Sequence, residues 1–223
     1  GLDATFAHIR TRETNCANWI CDCVRDGMFS LGYEVDIVLL NAGTLRADDV
    51  FPPGPFLMRD LVTLLPMLDE LCVLKMTGRQ VHEALENSVS QYPKMEGRFP
   101  CISGFSFAFD PHCTPGERVD PSSVAVSGRP LDLSGEYHVV TKAYLASGKD
   151  GYAVFQQCTM VSDGEGTPLL ADLVRAQFTH LAEINRLAAL PSHVPHSEEK
   201  PGRTPSSSSR AHSAGTPLGA EVG

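Results

Sequence analysis

The sequence predicts an α+β fold in which a mixed sheet packs against helices. Segments with the apolar period of a helix and segments with the pattern of a strand both occur along the chain. They follow one another without the strict β–α–β alternation that a doubly wound parallel sheet requires. The 223 residues are enough for one sizeable domain or two small ones, and the hydrophobic fraction of 42% is typical of a globular protein.

Helices are predicted where apolar residues recur every three or four positions after a capping residue. Thr14 suits the N-cap of the first helix, and Thr77 with Gln80 has the Thr-x-x-Gln form of a capping box. Leu181 and Ile184 are expected to face inward on the last helix. The predicted helices cover residues 14–28, 58–65, 77–89 and 169–187.

Strands are predicted from aliphatic runs and from alternation of apolar and polar residues. The segment Gly104–Phe109 reads GFSFAF, which is typical of a half-buried strand. The other predicted strands cover residues 35–40, 71–76, 124–126 and 137–143.

The composition changes after Leu190 to Pro, Ser, His and charged residues. Such a segment has too few apolar side chains to offset the entropy that is lost on ordering. The sequence therefore predicts one domain over residues 1–190 and a disordered tail over residues 191–223.

The charge balance limits the partners that the chain can have. A net charge of −9 and a pI near 5.3 argue against nucleic-acid binding, which needs a basic face. No apolar run in the sequence approaches the length of a membrane-spanning helix. The chain begins at Gly1 without an initiator methionine, so we expect a fragment or a processed chain with a catalytic domain upstream.

The seven cysteines lack the paired CxxC spacing of a structural zinc site. No Asn-x-Ser/Thr sequon occurs either. We favour buried, reduced thiols of an intracellular protein. A disulfide-bearing, extracytoplasmic domain stays open as the alternative, because a secretion signal would have been removed with the N-terminus.

The sequence lacks the motifs of the common catalytic sites. Ser147–Asp150 contains a Gly-Lys pair, but a P-loop needs Ser or Thr after the lysine, and no GxGxxG dinucleotide motif occurs. The eight histidines are scattered, without the DxH, GNHE or HxH groups of a dimetal phosphatase, and no GxSxG elbow is present. By itself the chain shows no catalytic machinery.

Polar residues at three places along the chain suit the recognition of a nucleotide. Arg10 precedes the first helix, Asn41 and Arg46 flank the end of the first strand, and Tyr144 and Asp150 follow a later strand. Arginine presents a fork of donors to phosphate, a carboxylate can accept from two ribose hydroxyls, and an aromatic ring can stack on a base. The alternative is that the arginines form surface ion pairs, Asp150 lies in a turn and Tyr144 lies in the core.

The order of several segments resembles the C-terminal domain of the 5′-nucleotidase family, which includes UDP-sugar hydrolases. The segments are RTRETNCANWICDCV, DIVLLNAGTLRAD, MRDLVTLLPMLDELCVLKMTGRQVHEALENSVSQYP, GRFPCISGFSFAFD and VVTKAYLASGKDGYAVF. The resemblance implies that this domain binds a nucleotide or nucleotide sugar. It also implies that a separate N-terminal metallophosphoesterase domain, absent from this chain, holds two divalent metal ions and performs the hydrolysis. The chain alone is then expected to be catalytically incompetent.

The same resemblance implies a role for each candidate residue. Arg10 and Arg46 would meet the phosphate, and Asn41 would lie beside phosphate and ribose. Asp150 would accept from the ribose hydroxyls. Tyr144 stands where the family places a phenylalanine that stacks on the base.

The sequence departs from the family pattern at several positions. The turn Asn-Gly-Gly-Gly-x-Arg of the family is Asn41–Arg46 here, with side chains at Ala42 and Thr44 that we expect to narrow the site. Met67 follows Pro66 where a second stacking aromatic is usual, and a thioether packs less selectively than a ring. These changes affect base recognition more than phosphate recognition. A non-catalytic nucleotide-binding module or a protein-interaction module remains the alternative function.

Overall fold

The computed structural model describes residues 1–163 and 166–188 and has the expected α+β fold with a mixed sheet. The helices are α1 Phe6–Ile9, α2 Asn15–Ser30, α3 Met58–Leu64, α4 Gly78–Val89, α5 Ala143–Ala146 and α6 Leu170–Ala188. The strands are β1 Leu2–Asp3, β2 Ile37–Asn41, β3 Val50–Phe51, β4 Leu71–Thr77, β5 Pro100–Ser103, β6 Phe105–Ser106, β7 Ala125–Val126, β8 Arg129–Pro130, β9 Glu136–Lys142 and β10 Thr159–Ser162.

The central sheet has five strands in the order β10-β4-β9-β2-β5. Strands β2 and β9 pair in parallel, with Ile37 opposite Val139, whereas the other neighbours in this sheet pair antiparallel. Every residue of β2 is buried, as its aliphatic run predicts. Because β2 and β9 run in the same direction, their carboxyl ends lie at the same edge of the sheet.

Helix α2 packs between the sheet and α6. The Thr14 side chain accepts from the backbone N–H of Ala17 (3.3 Å), which confirms it as the N-cap. An added Cβ at Gly27 would lie 2.8 Å from Leu173 Cδ2, so this glycine permits the close approach of α6. Further along, the Trp19 and Phe178 rings lie 5.1 Å apart in an edge-to-face contact.

Helix α4 begins with the predicted capping box. The Gln80 N–H donates to Thr77 Oγ1 (3.3 Å), and the Thr77 N–H donates to Gln80 Oε1 (2.8 Å). The helix buries one apolar face, which consists of Val81, Ala84, Leu85 and Val89.

Two predictions about strands were wrong. The strand expected over Gly104–Phe109 is limited to β6, and β5 immediately before it was missed. Gly104 separates them with φ of +86°, and an added Cβ there would lie 2.3 Å from the carbonyl oxygen of Asp36. The strand expected over 137–143 ends at Lys142, because Ala143 begins the short helix α5.

The inward orientation expected for the end of α6 was also wrong. Leu170, Leu173 and Val174 are buried as predicted, but Leu181 and Ile184 are close to half exposed. The predicted tail over residues 191–223 lies outside the described residues and stays a prediction. None of the described helices has the length and apolarity needed to cross a bilayer.

Candidate functional site

A cleft of about 410 Å³ lies at the sheet edge where β2 and β9 end. Its lining comprises Arg10, Asn41, Gly43, Arg46, Met67, Asp69, Gly97, Lys142, Tyr144 and Asp150. Asn41 is the last residue of β2 and Lys142 is the last residue of β9. All six residues that the sequence singled out therefore lie in one cleft, although their roles in binding stay predictions.

The two arginines create a positively charged end of this cleft. The Arg10 guanidinium lies 4.0 Å from the centroid of the Phe6 ring, and its Nη1 donates to the carbonyl of Met95 (3.3 Å). Arg46 is exposed, and its backbone N–H donates to Leu64 O (2.9 Å), which ties the turn after β2 to α3. Burial, and secondarily the charge of Arg46, lower the pKa of Arg10.

The alternative in which these arginines form surface ion pairs is not what the structure shows. Among residues 1–163 and 166–188, neither guanidinium has a carboxylate within ion-pair distance. Arg10 Nε is in addition buried without a hydrogen-bond partner among these residues. Two cations without a paired anion are an arrangement that attracts phosphate.

A network of hydrogen bonds joins three other residues of the cleft lining, Asn41, Tyr144 and Asp150. Asn41 Nδ2 donates to Asp150 Oδ2 (2.7 Å), while Asn41 Oδ1 accepts from Thr44 Oγ1 (2.8 Å). The Tyr144 hydroxyl donates to Asp150 Oδ1 (3.0 Å). This bond is the main cause that raises the pKa of Tyr144.

Asp150 has an uncommon backbone conformation that aims its carboxylate into the cleft. Its φ of +53° is in the left-handed region, which Asp tolerates better than most residues. Asn87 Nδ2, from α4, donates to the Asp150 carbonyl (3.1 Å). The loop that contains Asp150 is therefore held by Asn87, a residue outside the lining of the cleft.

The side chains that depart from the glycine-rich turn of the family do not narrow the cleft, contrary to our expectation. Ala42 and Thr44 are buried in the protein, and the Thr44 hydroxyl supports the amide of Asn41. In this turn the backbone of Gly43 lies close to the backbone of Gly97. A Cβ added to Gly97 would lie 3.4 Å from the Cα of Gly43. A side chain at Gly43 would come within 2.9 Å of Asn41 Nδ2.

Tyr144 and Met67 lie at the rim of the cleft. Tyr144 as a residue is 46% exposed and Met67 is 59% exposed, so the interpretation of Tyr144 as a core aromatic is wrong. Both residues present apolar surface at the rim that the described residues leave uncovered.

Sequence reasoning missed the ion pair at the floor of the cleft. Lys142 Nζ lies 3.0 Å from Asp69 Oδ1, with 6% and 12% of the two side chains exposed. Nζ also lies 5.3 Å from the centroid of the Tyr144 ring. The sequence contained one signal for this ion pair, which is the lysine at the end of the apolar strand VVTK. Since Asp69 neutralises Lys142, the unpaired positive charge of the cleft comes from the arginines.

The described residues do not provide the ligands of a metal centre. Within residues 1–163 and 166–188, no three His, Cys, Asp or Glu side chains lie together as metal ligands would. The resemblance places the two divalent metal ions in a separate N-terminal domain, and the described residues offer no cluster that could hold them instead.

Comparison with known proteins assigns the family. The profile of the 5′-nucleotidase C-terminal domain matches residues 2–157. This chain belongs to the 5′-nucleotidase C-terminal domain family. The match covers the whole cleft, from Arg10 to Asp150.

Relatives from bacteria and animals are similar to this 5′-nucleotidase C-terminal domain. The trifunctional nucleotide phosphoesterase protein YfkN of Bacillus subtilis is 32% identical over 173 residues, which are 74% of this chain and 11% of that protein. The human 5′-nucleotidase is 28% identical over 169 residues, 70% of this chain and 29% of that protein.

Solved structures show the same fold. A 5′-nucleotidase precursor from Thermus thermophilus superposes with a TM-score of 0.73 and 32% identity, covering 81% of this chain and 35% of that one. The NAD nucleotidase of Haemophilus influenzae superposes with a TM-score of 0.62 and 25% identity, covering 79% and 33%. The 5′-nucleotidase C-terminal domain thus spans 35% or less of the length of these relatives.

Proposed function

We propose that this chain is the substrate-binding domain of a longer, metal-dependent 5′-nucleotidase-like phosphoesterase. A separate N-terminal metallophosphoesterase domain with two divalent metal ions carries out the hydrolysis, and the chain by itself does not cleave the substrate. Its membership of the 5′-nucleotidase C-terminal family, and the length of its relatives beyond the matched part, support this division of labour. The substrate is a nucleotide or nucleotide sugar.

The cleft itself carries the proposal. Arg10 and Arg46 bring to the cleft two cations without an ion-pair partner among the described residues, and the carboxylate of Asp150 lies in the same cleft beside Asn41. A nucleotide has the complementary order of groups, an anionic phosphate followed by a sugar with two hydroxyls. The domain binds and orients this substrate, so that the reacting groups are already in position when the chemical step begins.

Tyr144 and Met67 contribute the contacts to the base. The exposed ring of Tyr144 offers a stacking surface, and the flexible thioether of Met67 packs on the base with less shape selectivity than a second ring. The affinity of the site therefore depends more on the phosphate than on the identity of the base.

Calorimetry with AMP tests this proposal on the chain as it stands. Replacing Arg46 with alanine removes a charge-assisted contact to phosphate, and we expect the affinity to fall by about tenfold to a hundredfold. Adenosine, which has no phosphate, should bind both proteins equally. Arg59→Ala is the matched control, because Arg59 is an exposed arginine of α3 outside the cleft lining.

The outcomes separate the proposed function from its alternatives. Equal AMP affinity of wild type and Arg46→Ala would contradict the assignment of the arginines. Absence of heat with AMP, ADP and a UDP-sugar would favour a protein-interaction module. Binding without metal-dependent phosphate release by the chain joined to its upstream segment would favour a non-catalytic nucleotide-binding module.

A further inference from the structure

The side chain of Arg98 packs against the loop that carries Asp150. Its Nη1 donates to Asn87 Oδ1 (3.3 Å) and to Ser90 Oγ (3.4 Å). A Cβ added to Gly151 would lie 2.9 Å from Arg98 Nη1 and 2.5 Å from Asn87 Oδ1. Both side chains therefore lie directly against the backbone of this loop, at a residue whose φ of +82° suits glycine.

The guanidinium of Arg98 determines which way the amide of Asn87 points. Arginine has N–H donors and no acceptor, so the amide must turn its oxygen toward Arg98. The Nδ2 group of Asn87 then faces the carbonyl of Asp150, to which it donates at 3.1 Å. A flipped amide would place donor against donor at Arg98 and acceptor against acceptor at Asp150. The orientation that satisfies Arg98 is thus the one that binds the Asp150 backbone.

Arg98 is attached to the same loop at a second point, through its own backbone. The Tyr152 hydroxyl donates to the carbonyl of Arg98 (2.7 Å). Tyr152 is fully buried, and its ring stacks on Phe155 with 5.0 Å between the ring centroids. The loop is therefore held on both sides of Gly151, at Asp150 through the amide and at Tyr152 directly.

These attachments affect where the carboxylate of Asp150 lies in the cleft. The left-handed φ of +53° at Asp150 is unfavourable for a residue with a side chain, so contacts to its backbone are needed to maintain it. A change in this backbone conformation would move the carboxylate away from Asn41 Nδ2, which donates to it at 2.7 Å. The bond from Asn87 to the Asp150 carbonyl opposes that change.

Stability alone does not explain an arginine at position 98. Within residues 1–163 and 166–188, Arg98 forms no ion pair, and its Nε is buried without a hydrogen-bond partner. A charged group in this situation loses hydration that the protein does not fully replace. Departures of this kind from stable packing are expected where a residue serves the function of a site.

We propose that Arg98 is a positioning residue that orients the amide of Asn87, which in turn holds Asp150 in the conformation that presents its carboxylate to the sugar hydroxyls of a nucleotide. Neither Arg98 nor Asn87 lines the cleft, so both act through the Asp150 loop. The inference deepens the proposed function and rests on it, because Asp150 must meet the sugar.

Calorimetry with AMP and with 2′,3′-dideoxy-AMP, which offers no sugar hydroxyl to Asp150, tests the proposal. Wild type should bind AMP more tightly than the dideoxy ligand. Arg98→Met should bind AMP about threefold to tenfold more weakly than wild type does, with unchanged affinity for dideoxy-AMP. Asn87→Leu should show the same selective loss, and the double variant should lose no more than either single variant, because both changes act on one amide.

Arg118→Met is the matched control for a general loss of stability. The buried guanidinium of Arg118 donates to the carbonyls of Val89 (2.5 Å) and Tyr92 (3.1 Å) at the end of α4, and it lies outside the cleft lining. This variant should melt at a lower temperature than wild type but keep the wild-type affinities for AMP and dideoxy-AMP. The control thus separates weaker folding from a displaced loop.

Two results with Arg98→Met would overturn the inference, namely unchanged affinity for AMP or an equal loss for AMP and dideoxy-AMP. If that variant does not fold, hydrogen exchange of the Asn87 side-chain amide in wild type decides by NMR. Slow exchange supports the inference, and exchange at the rate of a free asparagine side chain would overturn it. Equal affinity of wild type for AMP and dideoxy-AMP would instead refute the role of Asp150 in the proposed function, and this inference with it.

Discussion

Removal of the Asp69 carboxylate tests whether the ion pair with Lys142 is buried as the structure shows. Only 6% of the Lys142 side chain is exposed, so Asp69→Ala leaves an ammonium charge in the protein interior without its partner. Removing one member of such a pair costs about 3–5 kcal/mol. In a chain of this size, that loss lowers the melting temperature by about 6–20 °C.

Strands β4 and β9 supply a matched control for this experiment. Lys75 of β4 and Glu136 of β9 form an ion pair at 2.8 Å, but 40% and 63% of their side chains are exposed. Lys75→Ala should therefore cost less than about 1 kcal/mol. Urea unfolding, followed by circular dichroism, measures the change in stability of both variants. With an unchanged dependence of the free energy on urea concentration, the shift of the unfolding midpoint reports the loss.

A double variant separates the cost of an unpaired charge from the loss of packing. Asp69→Ala combined with Lys142→Met removes both charges and keeps the packing change at position 69 the same, so most of the stability lost in Asp69→Ala should return. If Asp69→Ala lost no more stability than Lys75→Ala, the pair would be solvated in solution and the reasoning from burial would be refuted.

Two further predictions concern the body of the domain. Glu86 is buried, and its carboxylate accepts from the backbone N–H of Arg118 (3.1 Å) and of Val119 (2.6 Å). Glu86→Ala should therefore lower the free energy of unfolding in urea by about 2–4 kcal/mol. An unchanged unfolding midpoint would contradict this anchoring role. Burial raises the pKa of Cys101 to about 12, whereas Cys113 is exposed. Iodoacetamide at pH 8 should therefore alkylate the native chain first at Cys113, which peptide mass spectrometry can measure. Faster labelling of Cys101 would show that the core opens.

The sequence predicted the helices better than it predicted the short strands. Thr14 and Thr77 act through residues three positions away, so local spacing was sufficient to place both helix starts. Gly104 ends one strand and begins another because of a close approach to Asp36, which is 68 positions earlier in the chain. Contacts of this kind have no signature in a window of neighbouring residues.

The same distinction applies to the cleft. Asn41, Arg46 and Asp150 were found because their types and motif order suggest nucleotide recognition. The Lys142–Asp69 pair joins residues separated by 73 positions, and only the register of β4 against β9 brings them together. The hydrogen bond from Tyr144 to Asp150 was missed because the sequence does not show where a hydroxyl points.

The parallel pairing of β2 with β9 has a consequence for how this binding site can change. Thr141 Oγ1 donates to Leu39 O (2.7 Å) across a separation of 102 residues, so the two strands are locked together in the interior. The segments that leave them at this edge contribute side chains to the cleft but no residues to the pairing of β2 with β9. Within these segments the buried Ala42, Thr44, Leu45 and Leu145 belong to the folded interior, whereas the exposed Arg46 and Tyr144 do not. The exposed positions can therefore be exchanged while the sheet keeps its register, which makes the chemistry of the cleft adjustable separately from folding.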